Sequence, residues 1–103
     1  MSKELLPLGT TVYLQEGSTP VVIVAIAPFI EHQEKEEMLL YYDYTGVPTP
    51  AGAIGEDIYY FNHANVAKII HEGYKSENHE RYLESVSEWQ EKNKDKFEIG
   101  AIE

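Results

Sequence analysis

Cysteine is absent from this 103-residue chain, which excludes disulfides, thiolate nucleophiles and cysteine metal sites. Basic residues are scarce. Eight lysines and arginines stand against eighteen aspartates and glutamates, a formal charge of -10, and that balance repels nucleic acid and anionic membrane surfaces. It is compatible with plain solubility and with a basic protein partner. No apolar run approaches the roughly 20 residues needed to span a bilayer. Met1-Ser2-Lys3-Glu4 leads into Leu5-Leu6-Pro7 without the apolar core of a signal peptide. The expected compartment is the cytoplasm, with no membrane insertion. Missing too are a nucleophile elbow, a phosphate loop and a dinucleotide fingerprint. Gly46 to Gly55 holds glycines, but its prolines remove backbone donors from any phosphate cradle.

What is present reads as one domain over residues 1–103. Thr10 to Gln15 is rich in β-branched and aromatic residues and predicts a strand, followed by a turn at Glu16-Gly17-Ser18-Thr19-Pro20. Val21 to Ala27 is apolar at every position, so neither face suits water and the run predicts the central strand. Pro28 ends it. Glu31 to Glu37 is a charged loop at the tip of a second hairpin, and Met38 to Tyr44 predicts a third strand. Thr45 to Asp57, with its glycines and prolines, predicts an irregular excursion. Asp57 to Phe61 predicts a short strand, Asn62 to Asn65 a turn, and Val66 to Tyr74 alternates as a strand.

Beyond Lys75 the apolar period lengthens to that of a helix. Tyr82, Leu83, Val86, Trp89 and Gln90 share one side, opposite Glu80, Glu84, Ser87, Glu88 and Glu91. Ser76 or Asn78 caps the start, and Lys92, Lys94 and Lys96 suit the negative end. The expected fold is α+β: a small curled antiparallel sheet or SH3-like barrel of four to five strands over about 8–74, one C-terminal amphipathic helix over about 77–94, and a tail, 95–103. In the tail, Phe97 and Ile99 either close against the sheet or fray.

Candidate chemistry is thin. His63, His71 and His79 are evenly spaced, but no pair has the i, i+4 spacing that aims two imidazoles at one ion. The carboxylate pairs Glu36-Glu37 and Glu56-Asp57 lie at loop edges, and adjacent strand residues point to opposite faces. The expectation is therefore no catalytic residue, no metal and no cofactor. The eight tyrosines carry more information, because tyrosine offers a large contact area for little lost rotamer entropy. The expected partner-binding residues are Tyr41, Tyr42, Tyr44, Val47, Pro48, Tyr59, Tyr60 and Trp89. The competing reading is that the tyrosines fill the core, with one alternating set near the surface, and that Trp89 packs on the sheet.

The segments LPLGTTVYLQ at Leu6 to Gln15, YDYTGVPTPAGAIG at Tyr42 to Gly55 and YFNHANVAKIIHEGY at Tyr60 to Tyr74, with the Glu-rich helix behind them, resemble a bacterial family catalogued as domain of unknown function number 4176. Tyr-Asp-Tyr-x-Gly-Val-Pro and Phe-Asn-His are the most specific elements. The chain departs from the pattern at Thr49-Pro50-Ala51, where members tend to carry an aromatic and an acidic residue. The resemblance implies genes commonly found beside type VII secretion systems and the polymorphic toxins they export, and hence an accessory or chaperone-like binding module for a secreted toxin. The alternatives are an immunity protein that masks a basic toxin domain and, from another class, a small hydrolase or metal-binding enzyme.

Overall fold

The computed structural model describes residues 5–15, 17–31, 34, 38–55 and 58–100. Their strands are β1 (Thr11–Leu14), β2 (Val21–Ile26), β3 (Phe29–Glu31), β4 (Leu39–Tyr41), β5 (Tyr44–Pro48), β6 (Tyr59–Phe61), β7 (Val66–His71) and β8 (Phe97–Ile99). A 3-10 turn spans His63–Asn65 and the helix α1 spans His79–Lys92. A five-stranded sheet has the order β6-β5-β2-β1-β7, and a three-stranded sheet the order β3-β4-β8. Every pair in the larger sheet is antiparallel. In the smaller one β3 and β4 are antiparallel, and β4 and β8 parallel.

The α+β class and the C-terminal helix stand as read from the sequence, but one sheet has become two. The ends of the larger sheet, β6 and β7, do not pair, so it does not close into the expected SH3-like barrel. The division arises where a single strand was expected over 38–44. The chain breaks at Tyr42-Asp43, so β4 joins one sheet and β5 the other. A break of two residues also changes the phase of the alternation. Tyr41 and Tyr44 are therefore both buried, where strict alternation would put them on opposite faces.

β2 is central, as its composition requires. Its register runs Ile23 opposite Gly46 and Ala25 opposite Thr45, which leaves Val24 as the extra residue of a β-bulge. Val21 and Ile23 alternate into the core, Val24 faces outward at 48% exposure, and the extra residue brings Ile26 instead of Ala25 inward. The expectation that neither face of this strand meets water fails at that residue. Thr45 to Pro48, assigned to the irregular excursion, belongs to β5 instead. It pairs along β2 because Gly46 lets two side chains close over it: a Cβ there would run into Val21 Cγ1 and lie 2.9 Å from Phe61 Cε1.

Leu83 and Val86 of α1 pack against the core, and Trp89 faces Phe29 and Phe97 with ring centroids 4.6 and 5.6 Å away. Phe97 lies in the expected tail, yet β8 completes the smaller sheet: Leu39 N–H donates to Lys96 O at 2.9 Å and Gly100 N–H to Tyr41 O at 2.8 Å. Asn78 occupies the N-cap of α1 without a side-chain cap bond. Ser87, expected to face away, is half-buried. The hairpin joining β3 and β4 confirms the second hairpin, although most of its charged tip lies outside the described residues.

Gly46→Ala should destabilise the protein by about 2 kcal/mol, the usual cost of overpacking a tight core. A urea titration of the variant beside the parent measures it, and an unchanged midpoint would show that Val21 and Phe61 can give way.

Candidate functional site

The Tyr-Asp-Tyr and Phe-Asn-His elements, 19 or 20 residues apart in the chain, meet in a buried polar clasp. Asp43 is 2% exposed. Its Oδ1 accepts the Tyr41 hydroxyl at 2.8 Å and its Oδ2 the His63 backbone N–H at 2.8 Å. Its own N–H donates to Asn62 Oδ1 at 3.0 Å, and its carbonyl accepts Ala27 N–H at 2.8 Å. A carboxyl so deep in protein is tolerable only because donors converge on it.

Asn62 extends the clasp. Its Nδ2 donates to Gly100 O at 2.7 Å, while Asn65 Oδ1 accepts the Asn62 backbone N–H at 2.8 Å. Asn65 thus bonds locally, as expected of a turn residue, but Asn62 reaches across to two distant segments. Tyr44 supplies the last link. Its hydroxyl accepts Leu6 N–H at 2.9 Å and lies 2.7 Å from His63 Nδ1. The arrangement that uses every donor sends the hydroxyl proton to Nδ1 and leaves the ring's own proton on Nε2.

Burial raises the pKa of both tyrosines. Tyr44 is pushed up to about 12 by desolvation and by the nearby Asp43 charge, against the bond from Leu6 N–H. Tyr41 is raised by desolvation, then by the charge of Asp43 and the bond to it. Neither hydroxyl is suited to lose its proton near neutrality, so neither is a ready general base. Asp43 binds the backbone of His63 and not its ring, which is unlike the carboxylate-imidazole pairing of a catalytic triad. The clasp is built to hold chain segments together.

Of the expected partner-binding residues, Tyr41, Tyr44 and Val47 are buried in the core and cannot offer contact area. The rings of both tyrosines have packing partners: Tyr41 has Phe29 and Phe97, and Tyr44 has Phe61 and His63. Trp89 is half-buried in the aromatic group between α1 and the smaller sheet. Tyr42, Pro48 and Tyr60 are half-buried and Tyr59 is 40% exposed. Tyr42 and Tyr60 stack with centroids 5.5 Å apart, and Tyr42 lies so close over Gly100 that a Cβ there would meet its ring.

Tyr59 and Tyr60 sit on β6, an outer strand of the larger sheet. Ile54 and Ile58, on the segment leading into β6, are large exposed apolar residues that sequence reading passed over because it weighed only the tyrosines there. Among the described residues, no group of three or more His, Asp or Glu side chains is placed to hold a metal ion. His63 is committed to the clasp, His71 is exposed, and His79 is buried with Nε2 2.9 Å from Leu5 O. His32 and the pairs Glu36-Glu37 and Glu56-Asp57 lie outside the described residues. No helix among them is long and apolar enough to cross a membrane.

A family model described as "Domain of unknown function (DUF4176)" matches residues 5–82. No curated protein and no solved structure matches the chain.

Asp43→Ala leaves the Tyr41 hydroxyl and the His63 N–H without their acceptor, and should cost about 3 kcal/mol in chemical denaturation. A cost below about 0.5 kcal/mol would mean that water replaces the carboxyl without loss. Alkaline pH supplies a second measurement. Tyrosine in the unfolded chain titrates near 10.0 and Tyr44 in the fold near 12, so the folded state holds the extra proton between these values. Stability should therefore be intact below pH 10 and fall as pH rises toward 12. Tyr44→Phe should flatten that fall, read as urea midpoints across the alkaline range.

Proposed function

Since the chain belongs to the DUF4176 family, whose description assigns no activity, we propose that it is a cytoplasmic, non-catalytic protein-binding module that acts as an accessory or chaperone-like factor for a type VII secreted toxin. The observation that carries the binding role is the apolar edge at β6. Ile54, Ile58 and Tyr59 are exposed together with the partly exposed Tyr42–Tyr60 stack and Pro48. The buried clasp is continuous with this edge along the chain, since Phe61 and Asn62 follow Tyr60. A rigid support lowers the ordering cost of binding. Support for the secretion role comes from the family resemblance, whose members are commonly encoded beside such toxins.

The mechanism is masking. Apolar helix faces of the export domain are held against the β6 edge and kept from aggregating until the secretion machinery takes them. The second reading, an immunity protein, draws on charge: Glu80, Glu84, Glu88 and Glu91 are all exposed on α1, within a chain of net charge -10. Such a surface would cover the basic active site of a toxin, and its grip would weaken with ionic strength.

A tagged protein offered the export and toxic halves of a neighbouring toxin separately should capture the export half, with little change at high salt. Ile58→Asp and Tyr59→Ala should each lower that capture at least tenfold while leaving the urea midpoint within about 0.5 kcal/mol of the parent. Salt-sensitive capture of the toxic half would replace masking with immunity, and capture of neither would refute both.

A further inference from the structure

A second feature lies away from the β6 edge, where the segment before β1 passes the start of α1. There a groove of about 590 Å³ is lined by Pro7 and Leu8, by Val24 to Ile26 of β2, by Tyr74, Ser76 and Asn78, and by His79 and Tyr82 of α1. Val24, the bulged residue of β2, faces outward and forms part of this lining. Tyr74, at 83% exposure, and Leu8 stand at the mouth. Tyr82 presents its ring and not its hydroxyl, which donates to Ile26 O at 2.6 Å. None of the lining residues is acidic or basic apart from His79.

His79 is only 7% exposed. Its Nε2 lies 2.9 Å from Leu5 O. A carbonyl can only accept, so Nε2 carries the ring proton, and in the singly protonated imidazole Nδ1 keeps a lone pair. No described residue donates to that lone pair. Yet no sealed side-chain nitrogen or oxygen lacks a partner among the described residues, so Nδ1 is reachable from outside. His79 is itself one of the residues that line the groove.

We infer that this groove binds a neutral small molecule with an aromatic or branched aliphatic body and one N–H or O–H donor, which His79 Nδ1 accepts. Each part of that description answers a feature of the lining. Apolar side chains with two tyrosine rings favour an apolar body. A recessed acceptor favours a donor, since a ligand without one leaves the acceptor dehydrated and unpaired. The absence of a countercharge disfavours an ion, whose desolvation nothing would offset. The size suits such a ligand, small-molecule sites being roughly 300–1,000 Å³, whereas a stable protein interface needs about 800 Å² from each partner. The site is independent of the β6 edge and of the secretion reading.

Indole and N-methylindole are matched probes, alike in shape but with and without the donor. Titrated into the isotopically labelled full chain, indole should shift amide resonances of Val24 to Ile26 and Ser76 to Tyr82, and N-methylindole should bind about five- to tenfold more weakly. Val24→Lys, which places a long charged chain in the groove from an exposed position, should abolish the indole shifts with the fold intact. Tyr74→Ala should weaken binding several-fold. Absence of saturable shifts at millimolar indole, equal affinity for both probes, or shifts centred on Tyr59 and Ile58 would each overturn the proposal. So would loss of toxin capture in Val24→Lys with no indole binding in the parent, which would make the groove a protein docking surface.

Discussion

A buried carboxyl group must be met by donors, and Asp43 draws its donors from separate parts of the chain. Its side chain ties Tyr41 at the end of β4 to His63 in the 3-10 turn, and its backbone ties Ala27 after β2 to Asn62. The junction between the two sheets is thus organised around one residue. Asn62 carries the connection to Gly100, and through it to β8, while Tyr44 carries it to Leu6 in the segment before β1. Removal of the carboxyl would leave the Tyr41 hydroxyl and the His63 N–H without this acceptor, one in β4 and one in the 3-10 turn.

This accounts for the chemical character of the molecule. Aspartate, histidine and tyrosine in contact would suit acid-base work in another arrangement, but here the donors are consumed by segment-to-segment bonds and the tyrosine protons are held more firmly than usual. Beside the clasp residues in the chain, Tyr42 and Tyr60 stack on each other, and Tyr59 is exposed. The family-matched segment, residues 5–82, contains the clasp except for Gly100, so the C-terminal part of α1 and β8 add their packing from outside the matched region.

Several elements were legible because their signals are local. The apolar run of β2, the periodicity of α1 and the turn chemistry of Asn62 to Asn65 all appear at their expected places, with ends displaced by a few residues. The misreadings share a cause. Val24 belongs to a run apolar at every position, and Tyr41 and Tyr44 fall on opposite faces of an unbroken strand, yet each lies at or beside an irregularity: a bulge in β2 and a break after β4. An extra or skipped residue reverses every later face, and it carries no composition of its own. Thr45 to Pro48 was read as irregular from its glycine and proline, because the space that makes Gly46 useful belongs to Val21 and Phe61 elsewhere in the chain.

Periodicity and propensity along the chain are enough for the α+β class, the central place of β2 and the terminal helix, and the family resemblance singles out Tyr-Asp-Tyr and Phe-Asn-His. Folding alone makes the two motifs halves of one clasp, buries Tyr41 and Tyr44 while leaving Tyr59 at the surface, and sets His79 in the lining of a groove. Those outcomes depend on hydrogen bonds and contacts between residues up to 74 positions apart. Such pairings are selected by the donors, acceptors and volumes that meet in the folded chain, and no window along the sequence contains both partners.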